Sequence, residues 1–322
     1  MDLTEDALIA AIRRVVSGDA PEVLVGPGDD AAVVARGGGD LVLTTDALVE
    51  GVHFRRETTT PRDLGYKAIA VNVSDVAAMA ASPRFALCAL TVSDRVDATW
   101  VVEVAAGMRE CCDEFAVSLV GGNVSRGRDV AIAVTLTGEV APGRAVRRAG
   151  ARPGDRLVVT GSLGGAAAGL RLTAQRSWND VERDALHRQM RPTPRVGEAG
   201  ALAGAGASAM IDVSDGLSLD LSRLCAAGGV GARLELANVP THPAATAEEA
   251  LGGGEDYELL AALPDEGAVA RARTRIREAF GVPLTDIGVI IEEGLIAIDD
   301  RGDERPLEPR GWDHLIEGGW SA

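Results

Sequence analysis

The sequence predicts an α/β protein of two domains. Three observations carry that prediction. Val-, Leu- and Thr-rich strand patterns alternate with Ala-rich helical patterns in both halves of the chain. The 322 residues exceed what one hydrophobic core usually organises. A basic, Gly/Pro-bearing segment without periodicity, Arg147-Arg148-Ala149-Gly150-Ala151-Arg152-Pro153-Gly154-Asp155, interrupts the pattern near the middle. The expected boundary therefore divides residues 1–148 from 149–322.

The N-terminal stretch MDLTEDALIAAIRRVV has the pattern of an amphipathic helix, without the basic-then-apolar order of a signal segment. Strands are expected at Glu22–Val25, Leu41–Thr45, Phe85–Val92, Val117–Val120 and Val130–Gly138. A helix is expected from Pro61, a favoured first-turn residue, to about Ala80. A second covers Ala98–Phe115, where Val101, Val104, Ala105, Met108, Cys112 and Phe115 repeat at helical spacing. The second half restarts with a strand at Arg156–Thr160, a Gly-rich turn at 161–165, and helical sequence to about Ala205. Ser208–Ser214 reads as a strand, and Leu217, Leu221, Leu224 and Cys225 mark a helix face. Strands at Ala232–Leu236, Glu258–Leu263, Asp286–Ile290 and Leu295–Ile298 and a helix at Glu266–Phe280 complete the pattern.

Composition excludes some partners. The net charge of −16 disfavours nucleic acid and anionic membranes, which need basic patches. Aromatics make up only 3%, so Ala, Val and Leu must fill the cores. Cys88, Cys111, Cys112 and Cys225 form no C-x-x-C pair and read as reduced thiols of a cytoplasmic protein. No apolar run approaches the ~18 residues of a membrane span.

The chemistry concentrates in carboxylates at strand ends and inside apolar helices, where a lone charge is costly. Asp30 ends Gly26-Pro27-Gly28-Asp29-Asp30, and Thr44, Thr45 and Asp46 close a strand. Asn72 and Asp75 lie three apart on one face of an otherwise apolar helix. Asp212 interrupts a strand, and Asp215 opens the next helix, where helix capping is its ordinary role. Such oxygen ligands suit Mg²⁺, which commonly bridges protein to phosphates. Bound cations would also reverse the local charge and let an acidic protein hold a nucleotide. Gly121-Gly122-Asn123 either admits close backbone approach to a ligand, with Asn123 offering a neutral oxygen, or is a simple turn. Gly252-Gly253-Gly254 precedes Glu255 and Asp256, either as a plain loop or as one that lets them reach a substrate. His53 is a lone histidine, the kind more often structural than basic in function. Trp312 stands out in a chain poor in aromatics, and a ring stack is one use for it. No Walker, H-E-x-x-H, G-x-G-x-x-G or G-x-S-x-G motif occurs.

In order, GPGDDAAVV, TTDALVEGVHF, DLGYKAIAVNVSDVAAM, VGGN, RRAGARPGD, IDVSDGLSLDL, GGGEDYEL and GWDHL resemble the thiamine-monophosphate kinase family, within the PurM-like ATP-binding superfamily. The resemblance implies a two-domain PurM-like fold whose N-terminal domain dimerises through its sheet, with ATP in the cleft between domains. It implies phosphorylation of thiamine monophosphate by ATP. It also implies Mg²⁺ at Asp30, Thr44, Thr45, Asp46, Asp75, Asn123, Asp212 and Asp215. Gly122, Asn123, Arg148 and Ser214 would contact ATP. His53, Glu255 and Trp312 would hold thiamine monophosphate. No residue is assigned as catalytic base, because a phosphate monoester oxygen is already largely ionised at neutral pH. The family commonly has Asp where this chain has Asn123. The alternatives are another enzyme of the superfamily, such as a selenophosphate synthetase, or a non-catalytic ATP- and Mg²⁺-binding regulator.

Overall fold

The structure is a computed structural model that describes residues 22–25 and 29–313. The expected N-terminal amphipathic helix and the glycines at 26 and 28 lie outside these residues. Two sheets form, each covered by helices. The first runs in the order β1-β2-β3-β6-β4-β5, from β1 (Val23–Val25), β2 (Ala32–Arg36), β3 (Gly39–Val49), β4 (Ser82–Val92), β5 (Ser118–Arg126) and β6 (Ala131–Val140). Among the described residues of this sheet only β4 and β5 pair in parallel, and helix α2 (Ala98–Glu114) makes the crossover this requires.

Helix α1 (Pro61–Ala78) is the structural centre of the molecule. Thr60 caps it by accepting the Asp63 N–H, and Pro61 takes a position whose missing N–H costs nothing. Its apolar residues are buried on nearly every side, because the first sheet, α2 and elements of the second half all pack on it. Gly65 and Gly107 let α1 and α2 touch backbone to backbone. A Cβ at Gly65 would lie 1.9 Å from the Val104 carbonyl oxygen, and one at Gly107 would lie 1.8 Å from that of Arg62.

The second sheet has the order β13-β12-β9-β11-β7-β10-β8. Its strands are β7 (Arg156–Thr160), β8 (Ala209–Val213), β9 (Gly231–Glu235), β10 (Glu258–Leu263), β11 (Leu284–Ile291), β12 (Leu295–Ile298) and β13 (Glu304–Pro306). β8 and β10 are buried at every position, and their sequences are apolar apart from Asp212 and Glu258. The Ala-rich helix after the Gly-rich turn is α3 (Gly165–Leu172), and the helical stretch that follows to Ala205 is two helices, α4 (Asp180–Met190) and α5 (Val196–Ala205). Asn179 opens α4 with a capping box to Glu182, and Pro192-Thr193-Pro194 separates α4 from α5. Helices α6 (Leu217–Gly228), α7 (Ala247–Gly252) and α8 (Glu266–Phe280) follow.

Two sequence expectations are corrected. The strand expected at Val117–Val120 runs on to Arg126, so Gly121-Gly122-Asn123 is the middle of an edge strand and not a turn. Gly122 is needed there for strand pairing, since a Cβ would lie 1.9 Å from the Cys88 carbonyl oxygen. Asp215 also does not cap α6. The cap residue is Gly216, without a side-chain bond, and the buried Asp220 carboxylate instead accepts the N–H groups of Asp215 and Gly216, each at 3.0 Å.

Candidate metal and phosphate site

Three acidic residues from distant parts of the sequence meet where α1 joins the two halves. Carboxylate oxygens of Asp30, Asp75 and Asp212 all lie within 4.8 Å of one another. Asp30 follows β1, Asp75 sits in the fourth turn of α1, and Asp212 sits in β8. Asp30 and Asp212 are buried, with Asp212 only 2% exposed, and Asp75 is half-buried. Each is anchored by a different group. Thr44 on β3 donates to Asp75 at 2.5 Å, and Ser74 donates to Asp212 at 2.5 Å. Arg148, from the segment between the sheets, grips both oxygens of Asp30 at 2.7 and 3.1 Å. Its backbone N–H reaches Asp29.

β-strand alternation decides which neighbours join. Thr44 and Asp46 face α1, and the Asp46 N–H donates to the Asn72 side-chain oxygen at 3.0 Å. Asn72 also donates to the Ala68 carbonyl, so its role is to tie helix to strand. Thr45 points to the other face, where it donates to the Val134 carbonyl and accepts from Thr135. Its hydroxyl is therefore not among the clustered oxygens.

The cluster's electrostatics follow from this burial. Burial pushes the Asp75 carboxyl well above its ordinary range, and the nearby Asp46, Asp212 and Asp30 push it further. Burial does the same to Asp212, with Asp30 adding repulsion. Burial and then Asp30 raise Asp29 to about 6, against the pull of Arg148. Burial opposes the charge on Arg148, but Asp30 beside it outweighs that and keeps the guanidinium charged. One arginine thus faces several converging carboxylates. Buried anionic oxygens with no histidine or cysteine among them fit a hard divalent cation such as Mg²⁺, which restores the missing positive charge.

The other sequence-predicted residues surround this centre unevenly. Asp215 pairs with Arg223, which also bonds Asp220 at 3.1 Å. Ser214 and Asp215 lie in the turn after β8, and the Ser214 carbonyl accepts the Glu255 N–H at 2.7 Å. The Trp312 N–H donates to the Asp215 carbonyl at 3.0 Å, which seats the chain's last described residues on that turn. His53 accepts the Val49 N–H through Nδ1, beyond the end of β3. Gly122 and Asn123 are not brought to the cluster within one copy of the chain. Asp46 lies level with Val134, Cys88 and Gly122 across β3, β6, β4 and β5. Three strand spacings amount to about 14 Å.

Three residues of this region escaped the sequence reading: Ser74, Asp220 and Lys67. Their only signal was polarity at positions where helical periodicity demands an apolar side chain.

Comparison with known proteins places the chain in a family. The model of the AIR synthase related protein N-terminal domain matches residues 28–140, and that of the C-terminal domain matches residues 152–301. A thiamine-monophosphate kinase from Escherichia coli K12 is 38% identical, with 97% of this chain and 98% of that protein covered. One from Bacillus subtilis 168 is 34% identical over 90% of this chain and 93% of that protein. A solved structure of AaThiL complexed with AMPPCP and TMP superposes with a TM-score of 0.84 at 34% identity, covering 97% of each chain. A HypE–HypF complex reaches a TM-score of 0.75 at 17% identity and shares the fold alone. The chain belongs to the thiamine-monophosphate kinase family of AIR synthase related proteins.

Proposed function

We infer that this protein transfers the terminal phosphoryl group of ATP to thiamine monophosphate, forming thiamine diphosphate and ADP. The observation that carries this reading is the convergence of Asp30, Asp75 and Asp212 beside Arg148, in a chain alike from end to end to thiamine-monophosphate kinases. The acceptor is a phosphate monoester, whose second pKa is near ~6, so its attacking oxygen is already ionised at neutral pH. No side chain has to remove a proton, and none is assigned as a base. The obstacle is repulsion between two polyanions, so the work of the protein is alignment and charge screening.

Mg²⁺ would be held by Asp30, Thr44, Asp46, Asp75 and Asp212, with Thr45, Asn123 and Asp215 as outer members. When bound it would supply positive charge to the phosphate oxygens. Arg148 would add its own charge from the segment between the sheets, and Gly122, Asn123 and Ser214 would contact ATP. His53, Glu255 and Trp312 would hold thiamine monophosphate, with Trp312 stacked on a ring.

A homodimer follows from the same reading. The β4–β5 end of the first sheet exposes Phe85, Leu87, Leu119, Val120 and Val124, with Leu87 50% exposed. A second copy packed there would cover this apolar surface and offer an Asn123 that one copy cannot bring to its own cluster. Incubation with ATP, Mg²⁺ and thiamine monophosphate tests the activity. Thiamine diphosphate is expected. ATP binding without product would favour the regulator reading instead.

A further inference from the structure

Lys67 is the most deeply buried charged side chain of α1, with 2% of its side chain exposed. A buried ammonium is unfavourable unless partnered, and both partners of Lys67 come from the far half of the chain. Its Nζ donates to the Gln189 carbonyl at 3.0 Å, at the end of α4. It also pairs with Glu255 Oε1 at 2.6 Å, in the loop before β10.

The Glu255 loop is held in an unusual shape. Glu255 and Tyr257 both adopt positive φ, at 69° and 50°, which side-chain-bearing residues rarely do. Between them, the half-buried Asp256 carboxylate takes the Gly164 and Ala166 N–H groups at 2.5 and 3.1 Å. The Glu255 and Tyr257 N–H groups bond the Ser214 and Val213 carbonyls. The loop is thus anchored through the backbone of Glu255 and Tyr257 and the side chain of Asp256, while the Glu255 side chain stays 26% exposed. Its direction is set by Lys67, which takes one carboxylate oxygen and leaves Oε2 for a ligand.

We propose that Lys67 is a positioning residue for the acceptor substrate: by gripping Oε1 of Glu255 from inside α1, it aims the second oxygen at thiamine monophosphate. This rests on the reading of Glu255 as a substrate-holding residue. Lys67 acts through Glu255, so its removal should weaken binding of the acceptor and spare that of ATP.

The test is a double-variant cycle on the full chain: Lys67→Met, Glu255→Gln and the two combined, with KM measured separately for thiamine monophosphate and ATP. Each single variant is expected to raise KM for thiamine monophosphate about tenfold and to leave that for ATP within about twofold. The combined variant should match Glu255→Gln alone. If Lys67→Met does not fold, Lys67→Gln, whose amide retains a donor for the Gln189 carbonyl, carries the same comparison. An additive combined effect, or an equal rise in the ATP KM, would overturn the role of Lys67 while leaving Glu255 intact. An unchanged KM in Glu255→Gln would overturn the substrate reading of Glu255 itself.

Discussion

The Ser74 hydroxyl donates to the Asp212 carboxylate across 2.5 Å, joining helix α1 of the first half to strand β8 of the second. Both residues are buried, so the bond is shielded from competing water. Removing it by Ser74→Ala leaves a buried carboxylate short of a donor. The expected cost is about 1–3 kcal/mol of stability in urea denaturation without Mg²⁺. An unchanged midpoint would mean that the bond contributes nothing to joining the two halves.

Asp75→Asn should lower the turnover rate by several orders of magnitude, because a central cation would lose a charged ligand. The substitution is nearly isosteric, and the Thr44 hydroxyl can still donate to the amide oxygen. The folded state should therefore survive, with the melting temperature as control. Near-normal turnover would remove Asp75 from the metal set.

Stability without Mg²⁺ should fall as pH rises. Burial raises Asp29 to about 6 and, with mutual repulsion, raises Asp75 and Asp212 well above the ordinary carboxylate value. In the unfolded chain these groups ionise near pH ~4. The folded form holds its protons longer, so the stabilisation is complete below about pH 4 and is lost as pH climbs through 6 and beyond. Glu50, Asp184 and Glu249 shift downward and so pull the other way, but their contribution is complete by about pH 5. A thermal melt without Mg²⁺ should thus give a lower midpoint at about pH 8 than at about pH 5.5. Added Mg²⁺ should raise the midpoint more at the higher pH, where the carboxylates are ionised and ready to bind it. A Mg²⁺ increment independent of pH would contradict this account.

Asn123→Asp should lower the Mg²⁺ concentration that gives half-maximal rate, since aspartate adds a charged oxygen ligand. Asn123 is three strands from Asp46 in its own sheet, so the effect should depend on a second copy. Sedimentation of the wild type should show a dimer, and dilution to monomer should abolish the difference between the variants. An unchanged Mg²⁺ dependence in the dimer would remove Asn123 as a ligand.

Much of this was legible in the sequence because periodicity and site chemistry coincide. Asp75 in α1 and Asp212 in β8 are charged residues set in apolar runs, and the structure brings both together with Asp30. Strands β10 and β12 and helix α8 begin and end where the sequence pattern does. Other elements were hidden for physical reasons. β2 is a short Ala/Val run that pairs with β3 through the tight Gly37-Gly38 turn, a local hairpin signal hidden by the run's brevity. The Gly121-Gly122-Asn123 segment has turn composition, yet β4 recruits it as an edge strand because only glycine fits against the Cys88 carbonyl. Lys67 and Asp220 were missed because a buried charge reveals its purpose only through its partners, and those are set by tertiary contact.

The most direct test is crystallography of the protein with AMPPCP and Mn²⁺ in place of Mg²⁺, read by anomalous scattering. The account predicts cation peaks within about 2.3 Å of carboxylate oxygens of Asp30, Asp75 and Asp212. Peaks confined to other positions, with these three carboxylates bare of metal, would contradict it.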